Sequence, residues 1–247
     1  MIVERTMSPG WLSNTWLVAD EPGGHAVVID TGGPSGPMLE RIAALRLTPT
    51  HVLCTHHHAD HVAHNADYKA GFGCPICGHA AERELFGGLD RELSDGDEIE
   101  SGHLRVRALH VPGHTIGQLA FLVNEERVFT GDTLFRRSIG GTRAPGHGTF
   151  AELQGSILER LMTLAPETVV HPGHTEPTTI GEEWQENPFV RLWRGLDAPT
   201  ERPCLAFGRP ATLILSARDY DGGTKCQVRF EDGKLDVVPG SQVRIDG

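Results

Sequence analysis

Positive charge is scarce in this chain: 22 Lys and Arg stand against 33 Asp and Glu, a net of −11. That balance argues against a partner held mainly through nucleic-acid phosphates or anionic lipid headgroups. No apolar run approaches the roughly 18 residues of a membrane-spanning helix. Met1 to Trp11 carries two charges and no apolar stretch, so a secretory signal is not expected. The five cysteines are odd in number and scattered, which excludes a disulfide framework. Internal repeats are lacking, and no Gly-x-Ser-x-Gly sequence marks a serine nucleophile. The expectation is a soluble, cytoplasmic protein. With 38% apolar residues the chain can bury a core, and 247 residues fit one large domain with a small appendage. Histidine is the outlier, at 14 residues, several beside Asp, Gly and Pro.

Strand and helix periods alternate along the first part of the chain. Leu17–Ala19 and Ala26–Asp30 read as strands joined by a Pro-Gly-Gly turn. Met38, Ile42, Leu45 and Leu47 fit a helix that Pro49 ends, and His51–Thr55 reads as a brief buried strand. The order strand, helix, strand predicts α/β layering. Pro75–Cys77 reads as a strand stub and Ala80–Phe86 as a helix; Glu98–Glu100, Leu104–His110, Leu119–Val123 and Arg127–Thr130 follow as strands. Thr149–Leu164 has helical spacing, Val169–His171 is a strand end, and Trp184, Phe189 and Trp193 form one helical stripe. The composition shifts at a linker, residues 198–202. It separates a first domain, 1–197, from a small all-β unit, 203–247, whose short strands are punctuated by Asp-Gly turns.

Thr55 to His61 reads T-H-H-H-A-D-H. In extended chain alternate residues share a side, so His56 and His58 can converge while His57 faces away. If a helix starts next, Asp60 and His61 fall on its first turn. Imidazoles with a carboxylate suit Zn²⁺ or Fe²⁺ better than Mg²⁺ or Ca²⁺. His114 in Val-Pro-Gly-His-Thr, Asp132 in Gly-Asp-Thr-Leu-Phe and His174 in His-Pro-Gly-His-Thr sit at strand ends beside glycine. In this order and spacing the set resembles the metallo-β-lactamase superfamily over roughly residues 10 to 197. That likeness implies an α/β fold, an αββα sandwich, here with a small C-terminal β-barrel-like (SH3/Tudor-like) appendage. It implies two divalent metal ions, zinc first, with iron or manganese as alternatives. His56, His58 and His114 would hold the first, Asp60, His61 and His174 the second, and Asp132 would bridge, with Asp60 and Asp132 as the catalytic carboxylates. Asp30, closing Val-Val-Ile-Asp, would orient the metal loop by hydrogen bonding. A hydroxide shared between two cations is nucleophilic at neutral pH, so hydrolysis is the expected reaction.

Gly131–Arg136, Ser138–Thr142 and Thr178–Glu183 are similar to the glyoxalase II (hydroxyacylglutathione hydrolase) branch. That branch implies a small-molecule hydroxyacyl thioester as substrate. The chain departs from it where glutathione-contacting Lys and Tyr are expected, which are Gly141 and Arg143 here, and at Glu176 in place of a Tyr after the last histidine. Arg136, Arg137 and Arg143 are the candidate groups for a substrate carboxylate instead. One rival within the superfamily is a persulfide dioxygenase with a single Fe²⁺ on His56, His114 and Asp132. Another is a binding module in the C-terminal unit, whose aromatics are Phe207, Tyr220 and Phe230. Cys74 and Cys77 with His79 form only one C-x-x-C pair, weak as a zinc knuckle. No nucleic acid or membrane partner is expected, and a homodimer is left open.

Overall fold

The computed structural model describes residues 1–245; Asp246 and Gly247, the end of the expected C-terminal unit, lie outside them. The first sheet is built from β1 (Ile2–Met7), β2 (Asn14–Ala19), β3 (His25–Ile29), β4 (Thr48–Leu53), β5 (Ile76–His79) and β6 (Arg91–Leu93), paired in that order. Its first three strands are antiparallel and its last four parallel. The helices α1 (Ser35–Leu45), α2 (Ala59–Val62) and α3 (Asn65–Phe72) interrupt it. The second sheet contains β7 (Glu98–Ser101), β8 (Leu104–His110), β9 (Leu119–Val123) and β10 (Arg127–Gly131). A hairpin of β11 (Leu134–Phe135) and β12 (Ser138–Ile139) and the helix α4 (Phe150–Gly155) lead back to it through β13 (Val169–Pro172) and β14 (Thr178–Thr179). Its strand order is β14-β13-β10-β9-β8-β7. Helices α5 (Ile180–Glu186) and α6 (Pro188–Trp193) follow.

Period-two alternation divides the strands between layers. Leu119, Phe121 and Val123 of β9 join Trp16, Ile29, Leu53 and Phe129 between the sheets. Ala120 and Leu122 of the same strand face outward onto Phe150, Leu153, Ile180 and Phe189. On the far side Leu17, Val28 and Val52 pack on Met38, Ile42 and Tyr68. This is the αββα sandwich, and β9 is buried along its whole length because both of its faces are covered.

The C-terminal segment forms a third, antiparallel sheet: β15 (Arg202–Ala206), β16 (Arg209–Arg218), β17 (Thr224–Phe230), β18 (Leu235–Pro239) and β19 (Val243–Arg244), ordered β18-β17-β16-β15-β19. Cys226, Val228 and Phe230 alternate into its own core, as the sequence pattern predicts. The sheet does not stand apart. Val237 is fully buried in the outer core of the second sandwich sheet, and its amide and carbonyl pair with Thr142 Oγ1 and Thr142 N, both at 3.1 Å.

Several local expectations are corrected. Helix α1 ends at Arg46 in the left-handed conformation (φ 54°), three residues before Pro49, which lies inside β4. Ala80–Phe86 is a single 3₁₀ turn, Ala80–Glu82, because Glu82 turns inward rather than facing water. Thr149–Leu164 is α-helical only to Gly155, then widens into a π-turn where Ser156 Oγ donates to Pro112 O. Trp184 leaves the expected stripe: it is 38% exposed beneath Arg194, while Phe189 is fully buried. Pairing begins at Arg202, within the expected linker. Among the described residues no helix is long and apolar enough to cross a membrane.

Val237→Ala removes two buried carbons from the joint between the third sheet and the sandwich. Urea unfolding should show a loss of about 2 kcal/mol; an unchanged midpoint would mean that the joint contributes little.

Candidate metal centre

Five strands end along one edge of the sandwich, and the loops leaving them carry the site. Asp30 follows β3, His56 to His61 follow β4 and begin α2, His114 follows β8, Asp132 follows β10 and His174 follows β13. Asp30, His56, His61, His114, Asp132 and His174 are buried, while His58 and Asp60 are partly exposed. Gly173 makes the approach possible, since a Cβ there would lie 2.8 Å from His61 Cε1 and against Asp132.

The hydrogen bonds fix which ring nitrogens carry protons. His58 Nε2 donates to Pro145 O (2.9 Å) and His114 Nδ1 to Gly141 O (2.8 Å). Thr55 Oγ1 donates to Asp30 Oδ2 and so accepts from His56 Nδ1 at 3.0 Å. The remaining nitrogens bear lone pairs, and they meet: His56 Nε2 and His114 Nε2 lie 2.9 and 3.1 Å from His58 Nδ1. Burial lowers the pKa of all three rings, His114 to about 4, which favours their neutral, metal-binding form.

His61 Nδ1 donates to Asp30 Oδ2 (2.9 Å), leaving Nε2 buried without a hydrogen bond, 3.3 Å from Asp132 Oδ1 and 3.5 Å from Asp60 Oδ2. His174 Nε2 lies 3.4 Å from Asp132 Oδ2 and 3.5 Å from Asp60 Oδ2. Burial opposes charge on His61, but Asp132 and Asp30 outweigh it and raise its pKa well above the ordinary range. Burial would likewise raise Asp132, yet His174 and His61 hold it well below. Positive charge is therefore favoured at this point. Donor atoms of His56, His58 and His114, of His56, His61 and Asp132, and of Asp60, His61 and His174 each lie within 4.8 Å of one another. Converging lone pairs, an orphaned buried nitrogen and an orphaned Asp132 Oδ1 fit a borderline cation with N/O ligands. Asp30 also accepts from Thr55 N (2.8 Å), pinning the loop whose histidine it orients.

Glu82 carries no sequence signal, lying among ordinary surface-type residues in Ala-Ala-Glu-Arg-Glu. Yet it is fully buried, accepts from His57 N (3.0 Å) and Gly117 N (2.8 Å), and pairs with His57 Nδ1 at 2.8 Å. One carboxylate thereby ties the His56–His58 loop to the His114 loop. Burial alone would raise its pKa; the bonds from His57 and Gly117 lower it.

Of the three candidate arginines, Arg137 is bound to Glu183 (2.5 Å) and Glu186 and does not line the cavity over the site; its expected substrate contact is replaced by a structural ion pair. Arg136 is exposed and also outside that cavity. Arg143 does line it, paired with Asp236. Cys74 and Cys77 are buried and join no metal-ligand group among the described residues. The cavity, about 390 Å³, opens on His114 and Asp132. The C-terminal segment also lines it and contributes Tyr220, which the sequence did not mark as part of the site. The Tyr220 ring stacks on His174, with centroids 4.2 Å apart.

The profile of the metallo-β-lactamase superfamily matches residues 8–174. The chain is 34% identical to the hydroxyacylglutathione hydrolase GloC of Haemophilus influenzae over 186 residues, 67% of this chain and 87% of that one. Among solved structures it is similar to ETHE1 from Myxococcus xanthus, 31% identical with a TM-score of 0.69, covering 81% of this chain and 93% of that one. It is also similar to TTHA1623 in a di-iron-bound form, 32% identical with a TM-score of 0.62, covering 76% and 100%.

Glu82→Ala leaves the donors of His57 and Gly117 without their acceptor and frees two ligand loops. Competition with a chromophoric chelator should show metal affinity about 10–100-fold weaker; unchanged affinity would reduce Glu82 to a packing residue.

Proposed function

This chain belongs to the glyoxalase II-like branch of the metallo-β-lactamase superfamily, and from that premise we propose that it hydrolyses hydroxyacyl thioesters with two metal ions. The observation that carries the reading is the meeting of lone pairs from His56, His58 and His114 beside a second donor group, Asp60, His61 and His174. Asp132 stands between the groups, one oxygen 3.3 Å from His61 and the other 3.5 Å from His114. Divalent ions held there would supply Lewis acidity and ionise water near neutral pH.

The chain's own residues do the rest. Asp30, Gly141 O and Pro145 O hold protons on His61 Nδ1, His114 Nδ1 and His58 Nε2, which keeps the opposite nitrogens available as ligands. Phe135 and Tyr220 exclude water from one side of the cavity. Asp60, whose Oδ2 faces His61 and His174 and whose side chain is 24% exposed, is the carboxylate we assign to take up the proton lost by the attacking water. The cavity lining holds neither serine nor cysteine, so no covalent acyl-enzyme is invoked. Water adds to the carbonyl carbon, the carbon–sulfur bond breaks, and the thiolate leaves without a dedicated acid.

A single Fe²⁺ on His56, His114 and Asp132 would leave Asp60, His61 and His174 converged without a role, which favours hydrolysis over oxygenation. Purified protein should contain about two ions per chain, cleave an S-lactoyl thioester and consume no oxygen with a persulfide. Asp132→Ala should lower metal content and cut hydrolysis by more than about a hundredfold. Full activity of that variant, or stoichiometric oxygen uptake by the wild type, would overturn the reading.

A further inference from the structure

We infer that the third sheet completes the substrate site and that Lys225, held in place by Asp219, binds a carboxylate carried by the thioester. The inference deepens the hydrolase reading and rests on it.

The cavity that His114 and Asp132 line is also lined by Phe207, Tyr220, Lys225, Val237, Pro239 and Gln242, all from the C-terminal segment. A volume of about 390 Å³ suits a small organic ligand. Most of this C-terminal lining is apolar or aromatic, and one fixed cation is set into it. Lys225 is 8% exposed, which is unusual for an ammonium group. Removing that charge from water requires anionic partners. Among the described residues its one carboxylate partner is Asp219, with Oδ2 at 3.0 Å, although an ammonium has three donors.

Asp219 is itself immobilised, accepting from Ser138 Oγ (2.7 Å) and from Tyr220 N (2.9 Å). Its carboxylate therefore fixes the direction of Lys225 as well as balancing the charge. The amine lies 4.0 Å from where a Cβ on Gly141 would stand, and Gly141 O is the acceptor that orients His114. Arg143, the other cation on the cavity, is exposed, beside Asp236 and over the rings of Phe207 and Phe230. Lys225 is the buried one. A substrate seated with its carbonyl at His114 and Asp132 would place a carboxylate within reach of Lys225 along a wall formed by Tyr220.

The test uses the metal-loaded full chain and three esters. S-Lactoyl-3-mercaptopropionate carries the carboxylate on the thiol half, S-(2-hydroxyglutaryl)-2-mercaptoethanol carries it on the acyl half, and S-lactoyl-2-mercaptoethanol is neutral. The wild type should prefer one anionic ester by kcat/KM, and the preferred one identifies the half that Lys225 reads. Lys225→Met should cut that preference about tenfold, mainly through KM, with metal content retained. Lys225→Arg should keep it. The inference fails if the wild type favours neither anionic ester, or if Lys225→Met retains the preference. If the wild type cleaves no ester, the hydrolase reading fails separately. Saturation-transfer NMR with 3-(methylthio)propionate then decides the site: binding lost in Lys225→Met supports it, and binding that is absent in the wild type or equal in both proteins overturns it.

Discussion

The constraint on which this molecule depends is electrostatic: several unshared electron pairs and carboxylate oxygens are brought into one buried space. His56, His58 and His114 point lone pairs at each other across about 3 Å, while Asp60 and Asp132 face His61 and His174. Such an arrangement repels itself unless positive charge sits in it. A flexible chain would relax away from it. Here each group is fixed at the end of a strand, and those strands are joined into two packed sheets with cores on three sides. The sandwich is the scaffold that keeps mutually repelling ligands together.

The proton positions are a second level of the same constraint. A histidine offers a metal only the nitrogen that its other hydrogen bond leaves free. For His61 the partner is a carboxylate, Asp30; for His58 and His114 it is backbone carbonyls of one loop, Pro145 and Gly141. That loop is tied in turn to the third sheet, through Thr142 to Val237 and through Thr142 Oγ1 to Asp236. A connected path of hydrogen bonds thus runs from the C-terminal sheet to the ring orientation of two ligands. The sheet thereby supports the orientation of His58 and His114.

The sequence made much of this legible because ligand chemistry is local. Four histidines, three of them candidate ligands, and an aspartate within six residues, and a Gly beside each later ligand, mark the site without knowledge of the fold. Strands that alternate or run continuously apolar, such as Leu119–Val123, were equally plain. What escaped was set by tertiary partners. Glu82 looks like a solvent-facing helical residue until its three donors are in place around it. Arg137 looks like an anion binder until Glu183 and Glu186, more than forty positions later, claim it. Pro49 reads as a helix terminator, but the left-handed turn at Arg46 acts earlier, and Pro49 sits where β4 begins. Tyr220 stands out in the sequence only as an aromatic of the C-terminal unit and Lys225 not at all; only the docking of β16 to β18 brings them to the cavity beside His174 and His114.

That docking bears on whether the C-terminal sheet is an independent recognition module. Such a module needs its aromatic residues on a surface of its own, gathered as a cage around a free cavity. The three available here are committed elsewhere. Phe230 is buried in the sheet's own core, Phe207 lines the cavity over the metal centre, and Tyr220 lies flat on a ligand ring. Val237 is buried with the sandwich's apolar residues, so detaching the sheet would expose apolar surface on both sides. Its position, its aromatic residues and its one buried ammonium all face the same chemistry, and this favours one active site assembled from two parts of the chain over two sites with separate tasks.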